Sequence, residues 1–276
     1  MAELTRKEVI QLLAVAGGPD AGARLSGVDL SGLDLRGLNF QNADLRLTNL
    51  AGASLAQANL RQARLISADL SQADLTAADL TRADLSNAAL NDAILARASL
   101  TEACLHAVDA VGADCRQADF TEARLVAADF SSADFSQARL VRARLSRAHL
   151  GGADLVDAAA AHADLSDTNA DLADFSRADL NHAFLQRASL IEANLTWANL
   201  REANLSEAIL LRANLTSADC SRAILRGAQF GPAVLRDTNF TQASLRDSDL
   251  PADAWPWIVL VETTMPDGTI YTDANS

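Results

Sequence analysis

The stretch that decides the fold is ADLSQADLTAADLTRADL, residues 68–85, in which Leu recurs at every fifth position. The same period runs from Leu25 to Leu250 without an insertion, through 46 positions of which 34 are Leu and the others Phe, Ala or Cys. Two residues before these positions stands Ala in 38 of the 46 cases, and the residue between is most often Asp or Asn. The repeating unit is therefore Ala-(Asp/Asn)-Leu-x-x.

A period of five excludes both regular elements. On an α-helix, five residues advance about 500°, so the Leu side chains would spiral around every face. On a straight strand, five is an odd step, and successive Leu side chains would alternate between opposite faces. The pattern works if each unit is a short extended piece with Ala and Leu pointing inward, Asp or Asn pointing outward, and the x-x pair forming a corner. The sequence thus predicts a solenoid whose coils stack by hydrogen bonding.

The unit resembles that of the pentapeptide-repeat family, and the resemblance covers residues 23–250. It implies an all-β solenoid, a right-handed quadrilateral parallel β-helix in which four units make one coil, so the repeat would form about 11 coils. One feature of the sequence favours this coil length. The small inward residues Ala110, Cys115 and Cys220 each have a Phe twenty positions later, which would compensate for their missing volume.

Both ends of a solenoid expose apolar cross-sections and unpaired edges, which require caps. Thr5 and Glu8 have the spacing of a capping box, and the apolar residues that follow predict a short capping helix at 5–16. After Leu250 the repeat breaks, and the next residues read as a capping segment with a Pro-Asp-Gly turn and two Trp that cover the end. The predicted organisation is a capping helix and linker at 1–22, the repeat at 23–250, and a cap and tail at 251–276, together a complete domain.

Composition narrows the class of partner. With 23 basic and 36 acidic side chains, the net charge is −13, which argues against direct binding to nucleic acid. No apolar run approaches the roughly 20 residues of a spanning helix, and no signal peptide is recognisable, so a cytoplasmic protein without membrane contact is predicted. An odd number of cysteines, three, is typical of a reducing compartment.

Catalytic motifs are lacking. The sequence contains no Gly-rich phosphate loop and no G-x-S-x-G, and a convex solenoid offers no water-excluding concavity, so we predict a protein that is not an enzyme, with no cofactor and no metal. His162, His182 and Glu202 stand twenty apart and would form one column. An open column has nothing around it to fix a metal, so a solvated polar ladder is the favoured interpretation.

A series of acids also recurs at intervals of twenty: Asp114, Asp134, Asp154 and Asp174. In one interpretation each carboxylate folds back to accept N–H groups of its own corner. In the other, the outward charge is functional. Some pentapeptide-repeat proteins resemble duplex DNA and bind DNA gyrase, and the resemblance implies a gyrase-binding DNA mimic as the alternative function. Duplex DNA carries one charge per roughly 1.7 Å, far more than this chain, so the mimicry would be weak.

The leading hypothesis is a rigid scaffold or protein–protein interaction module with an unidentified protein partner. It depends on large apolar residues at positions where the repeat expects polar ones, and these are predicted to form one contiguous patch. The alternative is that they pack between coils or beneath a terminal segment. The C-terminal cap additionally offers a surface for an end-to-end homodimer. The candidate interaction residues are Phe184, Ile191, Trp197, Ile209, Leu211 and Ile224.

Overall fold

The computed structural model describes residues 4–15 and 22–271 of the chain. It divides into two compact units, Met1–Arg139 and Leu140–Ser276. Residues 16–21, which make up most of the predicted linker, lie outside the described residues. The same holds for residues 1–3 and for the tail at 272–276.

Within each unit, the coils stack with a spacing of twenty residues. The middle residue of a pentapeptide forms an isolated parallel bridge with the residue twenty positions later, as Asp74 does with Ile94 and Asp174 with Asn194. Leu75 N–H donates to the Ile94 carbonyl (2.7 Å), and Ile94 N–H donates to the Ala73 carbonyl (2.9 Å). One residue of the next coil therefore satisfies two main-chain groups. Each side pairs through one such residue, and the described chain contains no longer strand.

Twenty residues hold four pentapeptides and four corners, so each coil has four sides. At a corner the Ala N–H donates to the preceding Leu carbonyl, as Ala73 does to Leu70 (3.0 Å). The second corner residue adopts the left-handed region, with φ 59° at Gln72. Bulky β-branched residues disfavour this region. The sequence agrees, because Thr, Val and Ile recur at the first corner position and occur at none of the second positions from 27 to 247.

The interior of each unit consists of the Ala and Leu positions. Leu75 in the first unit and Leu145 in the second have no exposed surface. Phenylalanines replace Leu in local clusters: in the first unit, ring centroids of Phe120, Phe130 and Phe135 lie 5.0 to 6.3 Å apart. In the second unit, the rings of Phe230 and Phe240 lie 6.1 Å apart, edge to face. Small and large inward residues thus share the core.

The N-terminal helix, α1, spans Arg6–Val15. It begins with the predicted capping box: Thr5 N–H donates to Glu8 Oε2 (2.7 Å), and Glu8 N–H lies 3.4 Å from Thr5 Oγ1. Val9 is its buried residue. The Arg6 guanidinium donates to the Asp34 carboxylate (3.1 Å) and to the Arg36 carbonyl (3.2 Å), so the helix lies against the first coil.

Beyond residue 250, the described part of the second unit, which ends at residue 271, continues on two sides only, through bridges of Asn239 with Val259 and Ser244 with Thr264. The chain then reverses at the predicted Pro-Asp-Gly turn, where Gly268 N–H donates to the Met265 carbonyl (2.9 Å). Before these bridges lies a 3-10 helix, Ala252–Trp257.

The two Trp side chains that are predicted to cover the end lie in the 3-10 helix, and both are exposed. Trp255 is 41% and Trp257 is 63% exposed. Pro251, which precedes the helix, and Pro256 within it remove two main-chain donors from the segment that would otherwise continue the coil. No helix among the described residues is long and apolar enough to cross a membrane.

Candidate functional site

The predicted interaction residues all lie in the second unit, whose sides can be named from the bridge register. Side A contains 183–185, side B 188–190, side C 193–195 and side D 198–200, each together with the residues twenty positions away. The corner pairs lie between successive sides. Side A therefore faces away from side C, and the corner between A and B lies diagonally across the coil from the corner between C and D.

Three of the predicted residues are exposed. Phe184 (48%) and Ile224 (45%) stand on side A, with Asn204 bridged to both and lying between them. Trp197 (65%) occupies the corner between sides C and D, on the other half of the coil. The prediction that all six residues form one contiguous patch is therefore wrong, because the twenty-residue register separates Trp197 from the pair on side A.

The other three predicted residues are half-buried. Ile209 lies on side B, and Ile191 and Leu211 share the corner between B and C. A methyl group added at Gly231 would lie 2.6 Å from Leu211 Cδ2, so the Leu211 side chain packs over this glycine. These three residues contribute to packing between coils as well as to the surface.

Leu172 belongs to the same corner and was missed by the sequence prediction. It is 64% exposed and adopts the left-handed conformation, with φ 63°. A large apolar side chain at a second corner position has few neighbours to pack against. This position in the repeat was the signal that could have identified it.

The predicted acidic residues are divided between the units. Asp114 is bridged to Asp134 in the first unit, and Asp154 to Asp174 in the second. In all four, the Oδ1 atom accepts the backbone N–H two residues later, the Asx-turn geometry of the structural interpretation. The distances are 3.1 Å for Asp114 to Arg116, 2.8 Å for Asp134 to Ser136, 2.9 Å for Asp154 to Val156 and 2.8 Å for Asp174 to Ser176.

Arginine offsets part of this negative charge. The Arg116 guanidinium donates to both carboxylate oxygens of Asp114 (2.8 and 2.6 Å) and lies 3.7 Å from Asp134 Oδ2. The hydrogen bond from this guanidinium lowers the pKa of Asp114, although partial burial acts in the opposite direction. In the second unit, Asp174 also accepts from Asn194 Nδ2 (3.0 Å). The carboxylates thus have structural partners.

The histidine column is a stack. The His162 and His182 rings are 4.7 Å apart and nearly parallel, at 3°, and His182 Nδ1 lies 3.5 Å from Glu202 Oε2. Within residues 4–15 and 22–271, no group of three or more His, Cys, Asp or Glu side chains is arranged to hold a metal ion. Of the three free cysteines, Cys115 and Cys220 are inward, and burial raises the pKa of both thiols.

The four-sided coils, the inward Ala and Leu and the hydrogen-bonded corners define a quadrilateral β-helix. The family model for pentapeptide repeats matches the sequence in 8 copies, which together span residues 21–250. The chain belongs to the pentapeptide-repeat family. The right-handed quadrilateral β-helix is the fold of that family.

Solved structures of this family are similar to the chain. HetL, involved in heterocyst differentiation regulation in the cyanobacterium Nostoc sp., is 30% identical over 98% of this chain and 100% of its own, with a TM-score of 0.35. A protein of the Arabidopsis thaliana thylakoid lumen is 36% identical over 39% of this chain and 74% of its own, with a TM-score of 0.30. QnrB1, a plasmid-mediated fluoroquinolone resistance protein, is 18% identical over 88% of this chain and 92% of its own, with a TM-score of 0.39. No curated protein sequence matches the chain.

Proposed function

We propose that this protein is a rigid, non-enzymatic scaffold that binds a protein partner through apolar side chains on its outward positions. The observation that carries the proposal is the exposure of Phe184, Trp197 and Ile224, at 45 to 65%, where the repeat normally places polar residues. Exposed apolar side chains that lie near one another mark partner sites, and Phe184 and Ile224 stand on the same side with Asn204 between them. The inward Leu and Ala carry the fold, which leaves these outward side chains available for binding.

Side A gives the partner a chemical character. Phe184 lines a groove of about 500 Å³ together with three arginines, Arg142, Arg144 and Arg187, and one acidic residue, Asp164. An aromatic side chain flanked by guanidinium groups fits a partner surface with an apolar centre and an acidic rim. Arg144 forms no ion pair with any described residue, whereas Arg187 is held by Asp167 at 2.7 Å. Of these two guanidinium groups, that of Arg144 is therefore the more available to a partner.

The test is association of the purified protein with partners captured from its native cell extract, followed by quantitative binding to the partner that is identified. A triple variant with Phe184→Ser, Trp197→Ser and Ile224→Ser should lose this binding at an unchanged unfolding midpoint. The matched control carries Arg64→Gln, a change on an outward position of the first unit, and should bind like the parent. If the triple variant captures the same partner with the same affinity, the exposed apolar residues are not the site.

Gyrase binding by DNA mimicry is the alternative. It has less support, because the four acidic residues are hydrogen-bonded to their own corners and Arg116 neutralises Asp114. A DNA gyrase supercoiling assay separates the two functions. Inhibition of supercoiling at protein concentrations comparable with that of the gyrase would favour mimicry over the scaffold.

Two further properties belong to the same proposal. A cytoplasmic location is supported by three free cysteines, of which Cys104 is partly accessible. An end-to-end homodimer is supported by the exposed indole of Trp257. Sedimentation of the wild-type protein and of Trp257→Ser over a range of concentrations tests the dimer, since a dimer through this end should dissociate more readily in the variant.

A further inference from the structure

One side of the last regular coil in the second unit has a partner in the preceding coil but none in the next. Val234 N–H donates to the Ala213 carbonyl (2.9 Å), and the Val234 carbonyl accepts from Leu215 N–H (2.8 Å). Toward the next coil, the groups to be paired are Leu235 N–H and the Ala233 carbonyl. Neither has a hydrogen-bond partner among residues 4–15 and 22–271.

The residue that should pair with them is Ala254, twenty positions after Val234. It lies instead in the 3-10 helix Ala252–Trp257, and its N–H donates to the Pro251 carbonyl (3.1 Å). The regular register resumes on the next side, where Phe240 N–H donates to the Val259 carbonyl (2.9 Å) and Val259 N–H donates to the Thr238 carbonyl (2.9 Å). The gap is thus confined to one side of the coil.

Proline explains why the ladder stops here. Pro232 occupies the second corner position, whose N–H donates to the next coil at regular corners, as Gly227 does to Arg246 (2.9 Å). Proline has no N–H to give. The left-handed conformation has also moved to Gly231, with φ 46°.

A groove of about 700 Å³ lies between this open edge and the 3-10 helix. Its lining is largely apolar and includes Pro232, Val234 (50% exposed), Pro251 and Trp257 (63% exposed). Leu235 is only 4% exposed. Backbone amides in such surroundings are rarely without a partner, because an unpaired buried N–H costs free energy.

We propose that this groove binds an extended segment of a partner protein, which adds to the open edge as a short strand. In a regular coil, the carbonyl of one extended residue accepts from the N–H of the Leu below it, and its own N–H donates to the carbonyl of the Ala, as Ile94 does with Leu75 and Ala73. One residue of the partner would form the same two hydrogen bonds with Leu235 N–H and the Ala233 carbonyl. Its two neighbours would point their side chains into the apolar groove. A helical segment could not bind in this way, because its main-chain groups are already paired internally. This surface is separate from the one on side A and goes beyond the scaffold proposed there, and it shares Trp257 with the proposed end-to-end homodimer.

The probe is an acetylated and amidated peptide, LRANLTS, copying residues 211–217, whose Asn occupies the bridge position of the preceding coil. Binding is followed by NMR on the full chain. Saturating peptide should shift the resonance of the Leu235 amide and slow the hydrogen exchange of this amide about tenfold or more. The same peptide with a methyl group on the backbone nitrogen of its Asn cannot donate the hydrogen bond to the Ala233 carbonyl and should not bind. Trp257→Ala should weaken binding about tenfold, while Trp197→Ala, which removes a Trp of nearly the same exposure, should not.

The proposal is overturned if the peptide leaves the Leu235 amide unchanged, or if the methylated peptide binds equally well. It is also overturned if this amide is already protected in the free protein at high dilution. Protection that rises with protein concentration would show that a second copy fills the edge, which would replace the partner segment as the occupant.

Discussion

Whether a side chain points inward or outward governs its contribution to stability. Leu145 is fully buried and Leu172 is 64% exposed, although both are leucines of the second unit. We expect Leu145→Ala to lower the free energy of unfolding by about 2–5 kcal/mol, and Leu172→Ala to change it by less than about 0.5 kcal/mol. Denaturant unfolding of the two variants measures the difference. Equal losses would contradict the assignment of inward and outward positions.

The oxygen of the outward Asp, rather than its charge, should matter at the corners. Asp134 accepts from Ser136 N–H, and its bridge partner Asp114 carries the same charge. Asp134→Asn keeps an acceptor and relieves repulsion, so we expect a change within about 0.5 kcal/mol, whereas Asp134→Ala should cost about 1 kcal/mol. Thermal unfolding of both variants compares them. A loss above about 2 kcal/mol in the Asn variant would mean that the charge is required.

The pair of Arg116 and Asp114 should make stability depend on pH in the acid range. The pKa of Asp114 is lowered in the folded protein, so the pair stabilises above the unfolded value of about 3.9 and loses its effect as pH falls through the folded pKa. Arg116→Gln should cost up to about 1 kcal/mol at pH 7, and this difference from the parent should shrink toward pH 2. Urea unfolding at the two pH values measures it. Arg144→Gln, which removes a cation without an ion pair, should show no such trend.

Some residue-level features were beyond prediction from the sequence. The inward positions followed from the period alone, since only one face of each unit can be buried. The division of the outward apolar residues into exposed and half-buried ones did not, because it depends on the residue twenty positions away: Leu211 packs over Gly231, whereas Phe184 is followed by Asn204. The left-handed second corner position was readable in the sequence, from its lack of β-branched residues.

At the scale of elements, helix α1 should be held to the first coil mainly by Val9. Val9 is fully buried, while Leu12 is 44% exposed. We expect Val9→Ser to release the helix and to speed hydrogen exchange of the Leu25 amide, which donates to Asp44 in the next coil. Leu12→Ser should leave the exchange unchanged. Equal exchange in Val9→Ser and the parent would mean that the helix does not protect this coil.

The two terminal elements differed in how far the sequence predicted them. The capping box and the apolar residues after it located α1 to within a residue at each end, because both signals are local. The 3-10 helix Ala252–Trp257 was not predicted, because three prolines, Pro232, Pro251 and Pro256, act together on neighbouring coils. Local spacing does not reveal such a combination.

At the scale of the whole molecule, inward residues carry the fold and exposed outward ones are free to bind. The measurement that tests this most directly is the thermal unfolding midpoint of the variant with Phe184→Ser, Trp197→Ser and Ile224→Ser, beside a variant with Ile191→Ser, Ile209→Ser and Leu211→Ser. The first should melt with the parent, within about 2 °C, and the second several degrees lower, since its residues are half-buried. If the first variant melts as far below the parent as the second, the exposed residues are part of the packing and are not free to bind.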